Sequence, residues 1–142
     1  MSTLYSKEEI ISLLSSKESL EISNKYPLTS MLAFGSIITD DFTEESDVDL
    51  ALIGDSPIKL DNILDLELFF ENLLNREIDI LDLRSSNLDL FVKINVLNNG
   101  QVLYSTDNNK NFNMFYDEND RIYRENENFI YFRKLDVLGI SH

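Results

Sequence analysis

The sequence predicts a single α/β domain in which a mixed sheet is packed with helices. Three observations lead there. Short apolar runs bounded by Gly, Pro or polar clusters, Leu28–Phe34, Val48–Ile53 and Glu77–Leu83, have the length and composition of strands. Before, between and after them lie longer stretches whose apolar residues recur three and four apart, the period of a helix with one buried face. Finally, 142 residues with 43% hydrophobic and 11% aromatic side chains can fill one core, against roughly 100–200 residues per domain. With 4 glycines and 2 prolines, little of the chain is left for linkers. The order α-β-β-α-β-α-β-α gives the class and leaves the strand order open.

The elements follow in sequence. Ser6 and Glu9 have the spacing of a capping box, and Ile10, Ile11, Leu13, Leu14 and Leu20 continue from it as one helix that Pro27 ends. Leu28–Phe34 is a buried strand stopping at Gly35. The acidic stretch Asp40–Ser46 is a solvated loop, and Val48–Ile53 is a second strand closed by Gly54 and Pro57. Lys59–Asn75 carries the clearest helical pattern, with Leu60, Ile63, Leu64, Phe70, Leu73 and Leu74 in phase. Glu77–Leu83 alternates as a third strand. Ser86 with Asp89 caps a helix that runs through Asn98 to Gly100, and Gln101–Tyr104 is a short edge strand. A helical, aromatic segment spans about 111–137, so the whole of 1–142 reads as one domain with a core at about 28–104.

Composition excludes several functions. Twelve Lys and Arg against 26 Asp and Glu give a net charge of −14, which repels phosphate backbones and anionic lipid and favours a basic partner. Direct nucleic-acid binding and membrane association are therefore not expected. Without cysteine there is no disulfide, thiol nucleophile or Cys-based zinc site, in keeping with a reducing cytoplasm. No signal-like pattern and no run of about 18 apolar residues occurs. His142 is the sole histidine and the last residue, which moves proton transfer toward carboxylates. The phosphate loop GxxxxGK, the dinucleotide GxGxxG and the metalloprotease HExxH are all absent.

The chemistry lies between Phe34 and Gly54. Gly35-Ser36 follows the first strand, ten residues intervene, and Asp47-Val48-Asp49 opens the second. Residues i and i+2 of a strand share a face about 6.5–7 Å apart, so both carboxylates project together. Flanked by Val48, Leu50 and Leu52, such a pair would repel unless a cation compensated it. If the third strand lies beside the second, Asp79 completes an all-oxygen set with Asp47 and Asp49, the hard ligands that suit Mg²⁺. Asp82 lies in the same run with opposite parity, and a slip of register would exchange the two. Gly35 lets the backbone approach a phosphate, and the Ser36 hydroxyl with nearby N–H groups can donate to its oxygens.

These residues together resemble the minimal nucleotidyltransferases of the DNA polymerase beta superfamily, whose motif is Gly-Ser, about ten residues, then Asp-x-Asp. The resemblance extends to the N-terminal helix, the Glu77–Leu83 strand, the segment ending Asn98-Asn99-Gly100-Gln101-Val102-Leu103-Tyr104 and the aromatic C-terminal helix. In size and C-terminal half the chain looks most like the antitoxins of HEPN/MNT toxin–antitoxin systems. The resemblance implies a nucleotidyltransferase-type sheet, a pair of Mg²⁺ ions, ATP as substrate, and AMP transfer onto a tyrosine of a HEPN ribonuclease toxin. It implies a hetero-oligomer with that toxin. Carried over by residue, Gly35 and Ser36 bind the triphosphate, Asp47 and Asp49 bind metal, and Asp79 is the third ligand and candidate base. The chain departs from the family after the serine, reading Ile37-Ile38-Thr39-Asp40 where a basic residue and a glycine are common.

Two other activities compete. One is a small-molecule nucleotidyltransferase of the antibiotic-modifying kind, which usually carries a further substrate domain. The other is an antitoxin that neutralises by binding alone. Arg121, Arg124, Arg133 and Lys134 fall among the aromatic residues of the C-terminal segment, which reads either as helical core with a solvated flank or as a docking face.

Overall fold

The computed structural model describes residues 4–127. Two short helices, α1 (Lys7–Leu14) and α2 (Lys17–Lys25), lead into strand β1 (Leu28–Phe34), a 3-10 turn at Gly35–Ile38 and strand β2 (Val48–Gly54). Helix α3 (Leu60–Leu74), strand β3 (Ile78–Asp82), helix α4 (Leu90–Asn99), strand β4 (Gln101–Ser105) and helix α5 (Lys110–Glu125) complete it. The four strands lie in the order β3-β2-β1-β4. The β1 strand pairs antiparallel with both β2 and β4, while β2 and β3 run parallel. A parallel pair needs a crossover, and α3 supplies it.

Local chemistry explains the helix boundaries. Ser6 accepts the Glu9 N–H while the Glu9 carboxylate accepts the Ser6 N–H, the reciprocal capping box. The first helix does not continue to Leu20 as the periodicity predicts. It closes at Ser15, and Ser16 caps a second helix by accepting the Ser19 N–H. Likewise Ser86 does not start α4; Asp89 does, accepting the Phe91 N–H at 2.7 Å. Asn75, in the left-handed region at φ 53°, ends α3 and turns the chain toward β3. The α5 helix begins at Lys110, and the part of the expected C-terminal segment beyond residue 127 lies outside the described residues.

Period-two alternation splits the core between the two sheet faces. Val48, Leu50 and Leu52 of β2 join Met31, Ala33, Ile78 and Ile80 against α1 and α3, where Ile10, Leu14, Leu66, Phe70 and Leu74 are buried. Ala51 and Ile53 face the other way and pack with Leu32, Leu83, Val96, Leu97 and Phe115 from α4 and α5. Phe112 stacks on Tyr116 over this second core, so these α5 aromatics serve packing. Asp49 has the parity of Ala51 and Ile53 but stands at the strand end beyond their apolar cover. Among the described residues no helix is long and apolar enough to cross a membrane.

Candidate active site

Strand register assembles the site. Phe34 at the end of β1 is paired with Asp49, and Asp49 in turn is paired with Asp79 across the parallel β2/β3 ladder. Neighbouring strands lie about 4.8 Å apart, so Asp49 and Asp79, 30 positions apart in sequence, project side by side from one face. Asp47 stands just ahead of β2 and is exposed, as is Asp79, whereas Asp49 is half-buried. Asp82 cannot replace Asp79. It has the opposite parity, and its two oxygens accept the N–H groups of Ile58 at 2.8 Å and Arg84 at 3.0 Å.

Gly35 closes the site from the β1 side. Its φ of +75° is a conformation that L side chains rarely adopt. A Cβ there would also collide with the Asp49 carboxylate, whose Cγ would lie 3.3 Å away. Glycine is thus required twice, by backbone geometry and by the approach of Asp49. Ser36 follows in the 3-10 turn, where its carbonyl accepts the Thr39 N–H at 2.9 Å and the Thr39 hydroxyl at 3.0 Å. Its own hydroxyl makes no hydrogen bond among the described residues.

The electrostatics follow from this packing. Burial pushes the Asp49 carboxyl above its usual range, and the neighbouring charges of Asp79 and then Asp47 push it further. No cation pairs with any of the three among the described residues. A half-buried oxygen donor repelled by two others is the environment a hard divalent cation relieves, so the residue types and the charge fit Mg²⁺. Among the described residues no three carboxylates already gather as a closed ligand cage.

Sequence reading missed one acid. Glu67 of α3 is half-buried, and its carboxyl is raised by burial, then by Asp79 and Glu71, while the Ile80 backbone N–H pulls it down. It belongs to the outer side of the same electrostatic field. An acid between Leu66 and Leu68 was the available signal, but only the packing of α3 along the β3 edge gives it meaning. Of the C-terminal basic residues, Arg124 pairs with Asp120 at 2.9 Å on α5, and Arg133 and Lys134 lie outside the described residues.

Comparison with known proteins gives the family and the fold. The profile of the family described as "Polymerase beta, Nucleotidyltransferase" matches residues 8–109. A protein of Methanocaldococcus jannaschii named "Putative protein adenylyltransferase MJ0126" is 32% identical over 81 residues, covering 57% of this chain and 79% of that one. A second protein of that organism, MJ0604, with the same form of name, is 31% identical over 54% of this chain and 79% of its own. Among solved structures, a chain from a toxin–antitoxin crystal structure with AMP-PNP superposes with a TM-score of 0.70 at 18% identity, covering 85% of this chain and 96% of that one. A chain from the complex of tri-AMPylated Shewanella oneidensis HEPN toxin with MNT antitoxin gives 0.66 at 16% identity, covering 94% and 99%. At those identities the likeness is one of fold.

Proposed function

The chain belongs to the polymerase beta nucleotidyltransferase family, and from that premise we propose that it transfers AMP from ATP to a tyrosine of a HEPN-type ribonuclease toxin, neutralising it. The observation that carries the reading is the alignment of Asp49 with Asp79 across β2/β3, with Gly35 held against Asp49 from β1. The names of the sequence relatives, protein adenylyltransferases, support the reaction. The fold neighbours, drawn from toxin–antitoxin complexes with AMP-PNP or with AMPylated HEPN toxin, support the nucleotide and the acceptor.

Asp47, Asp49 and Asp79 are the residues that would hold Mg²⁺, as a pair of ions. Bound there, the metal would offset the phosphate charge and favour the ionised acceptor. Gly35, lacking a side chain, lets phosphate oxygens come against the backbone, and the Ser36 hydroxyl donates to them. The tyrosine oxygen attacks the α-phosphorus in line: one O–P bond forms, the bond bridging to the β-phosphate breaks, and pyrophosphate leaves with its electron pair. Asp79, exposed beside Asp49, accepts the phenolic proton. We infer a cytoplasmic protein, supplied there with ATP and Mg²⁺, that works as a hetero-oligomer with its toxin.

The purified chain, incubated with ATP labelled at the α-phosphate, Mg²⁺ and a candidate HEPN-type toxin, is expected to label that toxin. The Asp47→Asn/Asp49→Asn variant is expected to leave it unlabelled. Label appearing equally with the variant contradicts the site; neutralisation without any label establishes the binding-only activity instead, which the acidic turn after Ser36 would favour.

A further inference from the structure

Arg76 lies just past α3, next to Glu77, whose carbonyl accepts the Val48 N–H at 3.0 Å. From there its side chain folds back over the turn that precedes Asp47. Nη1 donates to two carbonyls of that turn, Ser46 at 2.7 Å and Thr43 at 3.1 Å. The guanidinium carbon sits 4.6 Å from the centre of the Phe42 ring, a cation–π contact that fixes its plane. Its Nε is buried with no hydrogen-bond partner, and Arg76 makes no ion pair among the described residues.

The turn itself is a preformed unit. Ser46 Oγ accepts the Thr43 N–H at 2.9 Å, Thr43 O accepts the Ser46 N–H at 3.1 Å, and the two hydroxyls are 3.1 Å apart. Arg76 hydrogen-bonds it to the body of the fold, beside Phe42, which packs against the core. At the other end of the loop, Lys7 Nζ donates to Thr39 O at 2.8 Å. Between those anchors the loop carries Asp40, Asp41, Glu44 and Glu45, all exposed. Like charges of that density favour an expanded, moving loop, and Asp47 is the residue immediately after it.

We propose that Arg76 is a positioning residue for Asp47: by clamping the Thr43–Ser46 turn to the start of β3, it preorganises the first carboxylate of the pair for a divalent cation. Arg76 touches neither nucleotide nor metal and acts through the turn. A planar group that donates to two carbonyls from one edge while stacking on a ring is specific to arginine; lysine offers a point charge without the plane. The inference rests on the reading of Asp47 as a metal ligand given under Proposed function.

The test is Mn²⁺ binding, followed by electron paramagnetic resonance, to the full chain with α,β-methylene-ATP, whose α–β bridge the reaction cannot cleave. Arg76→Met is expected to weaken Mn²⁺ binding about tenfold, and Arg76→Lys to recover part of the loss. In an Asp47→Asn background, with Asp49 and Asp79 still present, Arg76→Met is expected to cost less than about twofold. Wild-type affinity in Arg76→Met, or equal losses in the two backgrounds, overturns the proposal. If Arg76→Met does not fold, Phe42→Leu is read in the same cycle, where independence from Asp47 likewise overturns it. Failure of the wild type itself to bind Mn²⁺ with the nucleotide removes the metal site and this inference with it, whereas binding unaltered by Arg76→Met removes this inference alone.

Discussion

At the scale of the residue, the site stores a conflict between stability and function. The Asp49 carboxyl is raised above its ordinary 3.8 by burial and by the charges of Asp79 and Asp47. The folded chain therefore holds this proton at a pH where the unfolded chain has released it. Stability falls as pH rises from the ordinary value through the raised one, and the loss persists above it. Asp49→Asn is accordingly expected to melt higher than wild type at about pH 7, with the advantage vanishing as pH drops below the ordinary carboxylate range; thermal melts across pH check it. Gly35→Ala is expected to cost about 1–2 kcal/mol for the left-handed backbone alone, with a further penalty from the Asp49 collision, and to weaken nucleotide binding in isothermal titration. Both positions were legible in the sequence as residue types. The positive φ of Gly35 and its contact with Asp49 were not, because they depend on a strand register that no spacing records.

At the scale of the element, the parallel pairing of β2 with β3 is decisive. It puts Asp79 beside Asp49 and turns Asp82 to the opposite face, where it accepts the Ile58 and Arg84 N–H groups. The two acids should therefore separate cleanly on mutation. Asp82→Ala is expected to lose about 1–3 kcal/mol of stability in urea unfolding, from two amides left unpaired, with residual activity. Asp79→Asn is expected to abolish AMP transfer with little change in the unfolding midpoint; the reverse pattern would mean that the register argument is wrong. Strand positions were readable from short apolar runs, and β1 begins and ends where those runs do. The break between α1 and α2 was not, because the apolar period continues to Leu20 while two consecutive serines, Ser15 closing and Ser16 capping, interrupt the backbone. Glu67 was missed for a similar reason: a helical acid acquires its role only when the helix packs beside β3.

At the scale of the whole molecule, the net charge of −14 favours encounter with a basic partner. Association with the proposed toxin is expected to slow as salt rises, since attraction beyond about 8–10 Å is screened near physiological ionic strength; stopped-flow mixing across a salt series measures it. The fold class was accessible from periodicities spread over the chain, and the family from the resemblance carried by Gly35-Ser36 and Asp47-Val48-Asp49. The strand order β3-β2-β1-β4 was not, because periodicity identifies strands without saying which neighbours pair. The central claim, that the Gly35, Asp47, Asp49 and Asp79 constellation adenylylates a protein, is tested most directly by intact mass spectrometry of a candidate HEPN-type toxin after co-expression. Wild type is expected to add whole adenylate units that are absent with Asp47→Asn/Asp49→Asn. An unmodified toxin that is nevertheless bound and inhibited by both forms would contradict the claim.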